Sequence, residues 1–513
     1  MYTPKRKYDP DVEPRLPIPQ QIISNGEYLP EPQNLFQKKV EALANEMADE
    51  RAKKLGLSRR DFLRTAAGTA TVMLAMNQVY GCGSSATPAG PDPDGSDGMF
   101  GVCDGDTRDP AQAREVFDAD YFVMDVQTHH VELEGAWNPA LKDGIAALRF
   151  TDFGECGRGN ADCIINEKIN RDNYVKEMFL ESETAIGVMS GIPTGALEIL
   201  PNTTMAATRD HVNAMANGSQ RMLAQMLIEP TLAQGTPGRT TVWDIQQNVE
   251  ELGSSGIKCY PGGDIWWLDD EEVAYPMFEQ AVRAGISVIS VHKGFPLQFG
   301  PQSPVRVQSI DIPKAARDWP QLNFVIYHSG YYPQDTTLPD GTVVPQGIEQ
   351  FATIMEENPD LTNVYAEIGS TFAVAIAAGV QGADILGRLL GIFGSERIVW
   401  GTDSVWWGSP QWQIDAMKAF QIPQALREEK GYPELTDADK ANIFGLNAAR
   451  LYGVDPEATR CAVASDPLTQ ARLELRERGP TPAVITHGPK TRREFMRLAA
   501  LDEKVERWRR GLG

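Results

Sequence analysis

Eight short apolar or β-branched runs, at residues 121–126, 185–190, 222–228, 256–260, 286–292, 323–328, 364–367 and 398–403, alternate with stretches of helical periodicity. Such alternation implies a parallel sheet, because each parallel strand needs a crossover before the next. Eight units over residues 119–455 fit the α/β class and a closed (β/α)8 TIM barrel better than an open doubly wound sheet. No Gly-rich dinucleotide fingerprint follows the first strand, which also counts against the open sheet. The helical stretches carry start signals: 271–284 follows Asp269 and Asp270, and 203–217 follows Asn202, a residue suited to capping. The longest gap, between the first two strands, holds Cys156 and Cys163 and reads as an inserted loop over the barrel mouth.

A net charge of −22 argues against a nucleic-acid partner, since phosphate backbones select stripes of Lys and Arg; a small molecule is the expected ligand. With 42% hydrophobic residues the chain can bury a sizeable core. Six cysteines without a CxxC pair do not make a disulfide scaffold or a structural zinc motif. Cys156 and Cys163 suit either a local disulfide or two free thiols.

The active site of such a barrel lies at the C-terminal ends of its strands, so strand-end residues converge in space. Gln127, His129, Lys258, His292, His328, Glu367 and Asp403 all stand there, and they include three of the six histidines. Alternation along the first strand puts Asp125, Gln127 and His129 on one face and turns His130 to the other, as a loop or supporting residue. His211 and His487 lie in helical or linker contexts. The loops after the strands are aromatic (Trp266, Trp267, Phe295, Tyr331, Tyr332, Trp406, Trp407), which suits a flat ligand, a pocket closed against water, or packing against C-terminal helices.

Read in order, the strand ends spell Asp125-x-Gln127-x-His129, Gly256-Ile257-Lys258, Val291-His292-x-Gly294, His328-Ser329-Gly330 and Gly401-Thr402-Asp403, followed by a closing helix at 443–453. Their joint order resembles the amidohydrolase-related family, in its decarboxylase-like and lactonase-like branch. That resemblance implies one divalent metal ion, zinc in the first place and manganese in the second. Its ligands would be Gln127, His129, His292 and Asp403, with Asp403 touching the metal-bound water and His328 as the acid/base group. Lys258, Trp266 and Trp406 are the candidate substrate-binding residues, and Glu367 is either a supporting group or a partner of Lys258. The departure is Gln127, where the family has His or Glu: a neutral amide oxygen is a poorer ligand for a transition metal. The implied activity is hydrolysis of an amide, ester or lactone carbonyl, with non-oxidative decarboxylation as the alternative and a catalytically silent binding protein as the second. The resemblance also implies a homodimer.

Ahead of the barrel, Ser58-Arg59-Arg60-Asp61-Phe62-Leu63 precedes an apolar stretch and a Gly/Ser/Pro-rich linker. This resembles a twin-arginine export signal and implies a periplasmic or exported protein, lipid-anchored at Cys82 as the alternative to cleavage near Gly81 or Ala86. The expected organisation is a charged extension at 1–57, helical over 37–57, a signal region at 58–86, a linker at 87–118, the barrel at 119–455 and a helical C-terminal extension at 456–513.

Overall fold

The computed structural model describes residues 16–21, 32–80, 98–131, 169–192, 200–264, 266–296, 303–377, 379–478, 493 and 496. The loop carrying Cys156 and Cys163, the proposed anchor Cys82, His487 and, apart from 493 and 496, the C-terminal extension beyond residue 478 lie outside the described residues.

The expected runs form strands β1 (Met124–Thr128), β2 (Ile186–Met189), β3 (Met222–Ala224), β4 (Met226–Leu227), β5 (Ile257–Cys259), β6 (Val288–His292), β7 (Asn323–Tyr327), β10 (Val364–Glu367) and β11 (Ile398–Val399), with a small hairpin of β8 (Thr336–Thr337) and β9 (Val343–Val344) between β7 and β10. The hairpin strands are too short to show a pattern in the sequence, although Leu338-Pro339-Asp340-Gly341 carries the turn chemistry that closes them. All pairs but β8–β9 are parallel, in the orders β1-β2-β3 and β4-β5-β6-β7-β10-β11.

Two sets of hydrogen bonds join these sheets into a ring. At the β3–β4 junction Gln225 N donates to Met189 O and Met226 N to Gly256 O, so a single run passes from one sheet to the other. At the opposite seam Val126 N donates to Trp400 O (3.0 Å), Asp403 N to Gln127 O (2.9 Å) and His129 N to Ser404 O (2.6 Å). One apolar cluster draws Val126 from β1, Val188 from β2, Val288 from β6, Val325 from β7 and Val399 from β11. Strands so far apart in the order meet in this way when they surround a common interior.

Helices between the strands cover the ring outside, which explains why the strands are buried on both faces. Helix Asn202–Met215 starts one residue earlier than the capping argument expects. Asn202 is its first residue, and its side chain instead accepts from Leu227 N at 2.8 Å, pinning the helix to β4. Helices Pro456–Val463 and Pro467–Glu477 follow the barrel, and Arg472 of the latter donates to Ser182 O at 3.2 Å.

The N-terminal part is folded into the same core. Helix α1 (Leu35–Leu55) begins at a capping box of Asn34 and Gln37 and ends at Gly56, whose φ of 68° is a left-handed cap. Short helix α2 (Arg59–Leu63) starts at Ser58, which accepts from Asp61 N. Helix α3 (Ala66–Tyr80) is apolar on all sides and buried, and α4 (Pro110–Phe117) packs beside it.

Candidate active site

The chain bends sharply where the strands end. Among the described non-glycine residues six have positive φ, and five of them lie just beyond strands: Phe295, His328, Ser329, Ser370 and Asp403. Such conformations cost energy and persist where surrounding bonds over-determine them. Here the bonds are explicit. Glu367, the last residue of β10, accepts from His328 N at 2.8 Å and from Gly369 N at 2.5 Å. Ser329 Oγ donates to Glu367 O, and Thr371 Oγ1 donates to His328 O.

His328 is thereby fixed with its ring in the site. Its Nδ1 lies 2.7 Å from Gly369 O, which can only accept, so Nδ1 carries the proton and Nε2 presents a lone pair. Burial holds its pKa down to about 4, against the pull of Asp403, so the ring is neutral at physiological pH. His292 stands beside it with ring centroids 4.7 Å apart, and burial, His328 and Lys258 together keep its pKa well below the ordinary value.

Asp403 is the hub. Its Oδ2 accepts from Ser370 Oγ at 2.5 Å, and Ser370 in turn accepts from Trp407 Nε1 at 3.0 Å. Its Oδ1 accepts from Gln127 Nε2 at 2.9 Å and faces His129 Nε2 at 3.1 Å. Burial pushes the carboxyl upward, but the bonds from His129 and Ser370 outweigh it and leave its pKa below the usual range. Asp403 is therefore an anion in the resting site.

His129 repeats the logic of His328. Its Nδ1 donates to Ser190 O at 2.7 Å, so Nε2 is left facing a carboxylate oxygen. A lone pair and an anion at that distance require a positive charge, either a proton on Nε2 or a cation held by both. Imidazole tied by its other nitrogen to a backbone carbonyl is also the usual posture of a metal-binding histidine. The His129–Asp403 edge thus fits a divalent ion. Gln127 fits less well: its nitrogen faces Asp403 and also His328 Nε2 (3.4 Å), while Oε1 is buried without a hydrogen-bond partner. Among the described residues no three His, Cys, Asp or Glu side chains form a ready cage.

The other expected residues divide. Lys258 is buried with Nζ 4.4 Å from the ring centre of Tyr260 and 3.7 Å from that of Tyr327, and its charge is felt by His292 and His328. Trp406 stacks beside His129, with centroids 6.1 Å apart. Trp266 is buried in the main apolar core with Leu268, whereas its neighbour Trp267 lies under the Arg306 guanidinium, 4.4 Å away. His130 turns away and meets Thr208 at 2.9 Å, and His211 is exposed on its helix. Asp125 shares a strand face with Gln127 yet serves the seam: it accepts from Thr402 Oγ1 at 2.5 Å, and burial pushes its pKa up to about 7.

Glu367 pairs with backbone amides, and burial raises its carboxyl to about 8. Ser370 is the residue that the sequence pattern did not single out, and Trp407, expected only as one of the loop aromatics, donates to it. Ser370 lies three positions beyond the β10 strand end, so the strand-end rule points to its loop and stops short of the residue.

Two glycines, Gly369 and Gly401, make room for this arrangement. A Cβ on Gly401 would collide with Glu367 Oε1 and lie 3.1 Å from Gln127 Cβ. Gly401→Ala is expected to destabilise the protein by about 1–3 kcal/mol through overpacking. Thermal denaturation measures this, and an unchanged Tm would mean that Glu367 is not wedged against that backbone.

No curated protein matches the chain. Among solved structures it is similar to 2,6-dihydroxybenzoate decarboxylase from Rhizobium, at 15% identity and a TM-score of 0.40, over 65% of this chain and 99% of that one. It is also similar to a dihydroxybenzoic acid decarboxylase from Polaromonas sp. JS666 with bound manganese and the inhibitor 2-nitroresorcinol (15% identity, TM-score 0.39, 65% and 97% covered). A third is a probable 2-pyrone-4,6-dicarboxylic acid hydrolase from Acinetobacter baumannii with citric acid bound (13% identity, TM-score 0.36, 65% and 99% covered). The family model described as amidohydrolase matches residues 178–454, from just ahead of β2 to the end of the closing helix. That match spans more than half of the sequence, and by it the chain belongs to the amidohydrolase family.

Proposed function

We propose that the chain is a metal-dependent hydrolase that opens an amide, ester or lactone carbonyl of a small molecule. The observation that carries this reading is the anionic Asp403 facing His129 Nε2 at 3.1 Å, beside a neutral His328 whose Nε2 is a proton acceptor. His129, Asp403 and His292 would hold the ion, zinc or manganese, with Gln127 Oε1 as a weak fourth ligand. When bound, such an ion lowers the pKa of water to about 7 and polarises a carbonyl.

The chain's own residues then have distinct tasks. Asp403 accepts a proton from the attacking water, and Ser370, donating to its other oxygen, keeps the carboxylate turned toward the site. His328 begins unprotonated at Nε2, so it must first take up the proton that Asp403 has drawn from the water before giving it to the leaving group. This refines the expected acid/base role, for the resting ring is a base. Trp406 and Phe295 pack beside His129 and His328 and would wall the site from water.

Lys258 supports a second reading. A buried ammonium close to His292 and His328, and lying over two tyrosine rings, suits a substrate carboxylate. In a non-oxidative decarboxylation that carboxylate would leave as CO2 and a proton would take its place. Product analysis separates the readings: hydrolysis in H2 18O places the label in the product acid, whereas decarboxylation releases CO2.

Metal analysis of the purified protein tests both. About one divalent ion per chain is expected, lost on His292→Ala with no loss of fold. A natively folded protein that holds no metal, and whose ligand binding survives His292→Ala, would leave only the silent binding protein.

A further inference from the structure

We infer that residues 35–80, including the twin-arginine-like segment, stay in the working protein as part of its core and are not removed as an export signal. An apolar signal helix must be available to a receptor or membrane. Helix α3 is not: Ala67, Ala70, Val72, Met73, Leu74, Ala75 and Met76 have no exposed surface.

The covering is specific at both ends. The α2–α3 turn is so tight that a Cβ on Gly68 would collide with the backbone of Phe62 and Leu63. Ahead of it Arg59, the first arginine of the motif, pairs with Asp49 of α1 at 3.1 Å. Arg51 of α1 is 3% exposed and reaches past α3 to Asp104 (2.7 Å) and Thr107 (2.6 Å). At the far end the ring of Tyr80 fills the space that a side chain on Gly379 would need.

From α3 a chain of contacts runs to the site. Asn77 donates through Nδ2 to Phe100 O (2.7 Å) and accepts from Phe100 N (3.1 Å), clamping both polar groups of one backbone unit. Phe100 pairs with Phe420 in an antiparallel bridge, their rings edge to face at 5.9 Å. Phe420 meets Phe372 at 5.7 Å, and Phe372 is two residues beyond Ser370, which holds Asp403. Cleavage near residue 81 would remove α1, α2 and α3 together and take from Phe100 N its acceptor, Asn77 Oδ1. Whatever reaction the site performs, this segment buttresses the loop that positions its acid.

The test uses the full chain expressed in a bacterium with a working twin-arginine system. Intact mass and N-terminal sequencing of the folded protein are expected to find residues 35–80 present. Arg59→Lys with Arg60→Lys, which disables a twin-arginine signal, should leave cellular location unchanged. Asn77→Ala should lower the Tm by about 2–4 °C, as loss of a buried hydrogen-bonding side chain does. A folded, periplasmic or lipid-anchored protein beginning at residues 81–87 would overturn the inference. So would export that fails in the twin-lysine variant, or an Asn77→Ala protein that melts with the unaltered chain.

Discussion

Replacing His328 with Asn should lower kcat by about 10^2 to 10^4, the usual contribution of a positioned acid/base group. The amide keeps a donor for Gly369 O, so the strained His328–Gly330 turn has its anchor and the fold should survive. The pH profile gives a second readout. A base works only while unprotonated, and burial keeps His328 so down to about pH 4. Activity carried by this ring is therefore full at neutral pH and falls as pH drops through its folded pKa, well below the ordinary histidine range. Circular dichroism and steady-state kinetics check the prediction together. A variant that keeps the parent kcat, or a parent whose acid limb sits at the ordinary histidine pKa, would remove His328 from the chemistry.

Gln127→His should tighten divalent-ion binding by about 10- to 100-fold, the scale on which a change beside a metal moves affinity. The cause is local. In the native chain the amide nitrogen donates to Asp403 and faces His328, so the site spends a carboxylate lone pair on a neutral donor. An imidazole there supplies a lone pair to the ion and gives that oxygen back. Competition with a chelator, followed by the metal left on the protein, measures the change. Retention no better than in the native chain would place residue 127 away from the ion and make His129, His292 and Asp403 its whole protein complement.

The two variants bear on different links. His328 concerns proton transfer on a prearranged ring; Gln127 concerns the electrostatics that decide whether a cation stays. A chain that responds to the first and not to the second would be an enzyme with an altered metal site. A response to the second alone would indicate a metal protein whose chemistry runs through another residue.

Much of the barrel was legible because parallel strands covered on both faces must read as apolar runs, and the runs at 286–292 and 323–328 contain β6 and β7 almost whole. The convergence of Gln127, His129, His328 and Asp403 followed from the same rule, since strand ends share one rim. Residues acting from loops were harder to read. Ser370 meets Asp403, and Trp407 meets Ser370, through turns that no periodicity encodes. Trp266 shows the converse: as a strand-end aromatic it looked like pocket wall, yet the turn after β5 sends it into the core and leaves Trp267 against Arg306. Asn202 looked like a helix cap, and its amide is needed instead by the backbone of β4.

The amino-acid sequence by itself determined the number and order of the βα units, and with them which side chains could reach one rim, because hydrophobic periodicity is a local property of the chain. Only the tertiary structure decided the rest. Which nitrogen of His129 and of His328 carries the proton depends on carbonyls contributed by Ser190 and Gly369. Whether Asp403 is an anion depends on groups from two other strand ends, Gln127 and His129 at β1 and Ser370 beyond β10. The segment after Arg59 and Arg60 has the composition of a signal, and its burial against α1, Phe100 and Gly379 is what makes it core. Charge state and burial are set by neighbours distant in the chain, and a linear pattern carries no record of them.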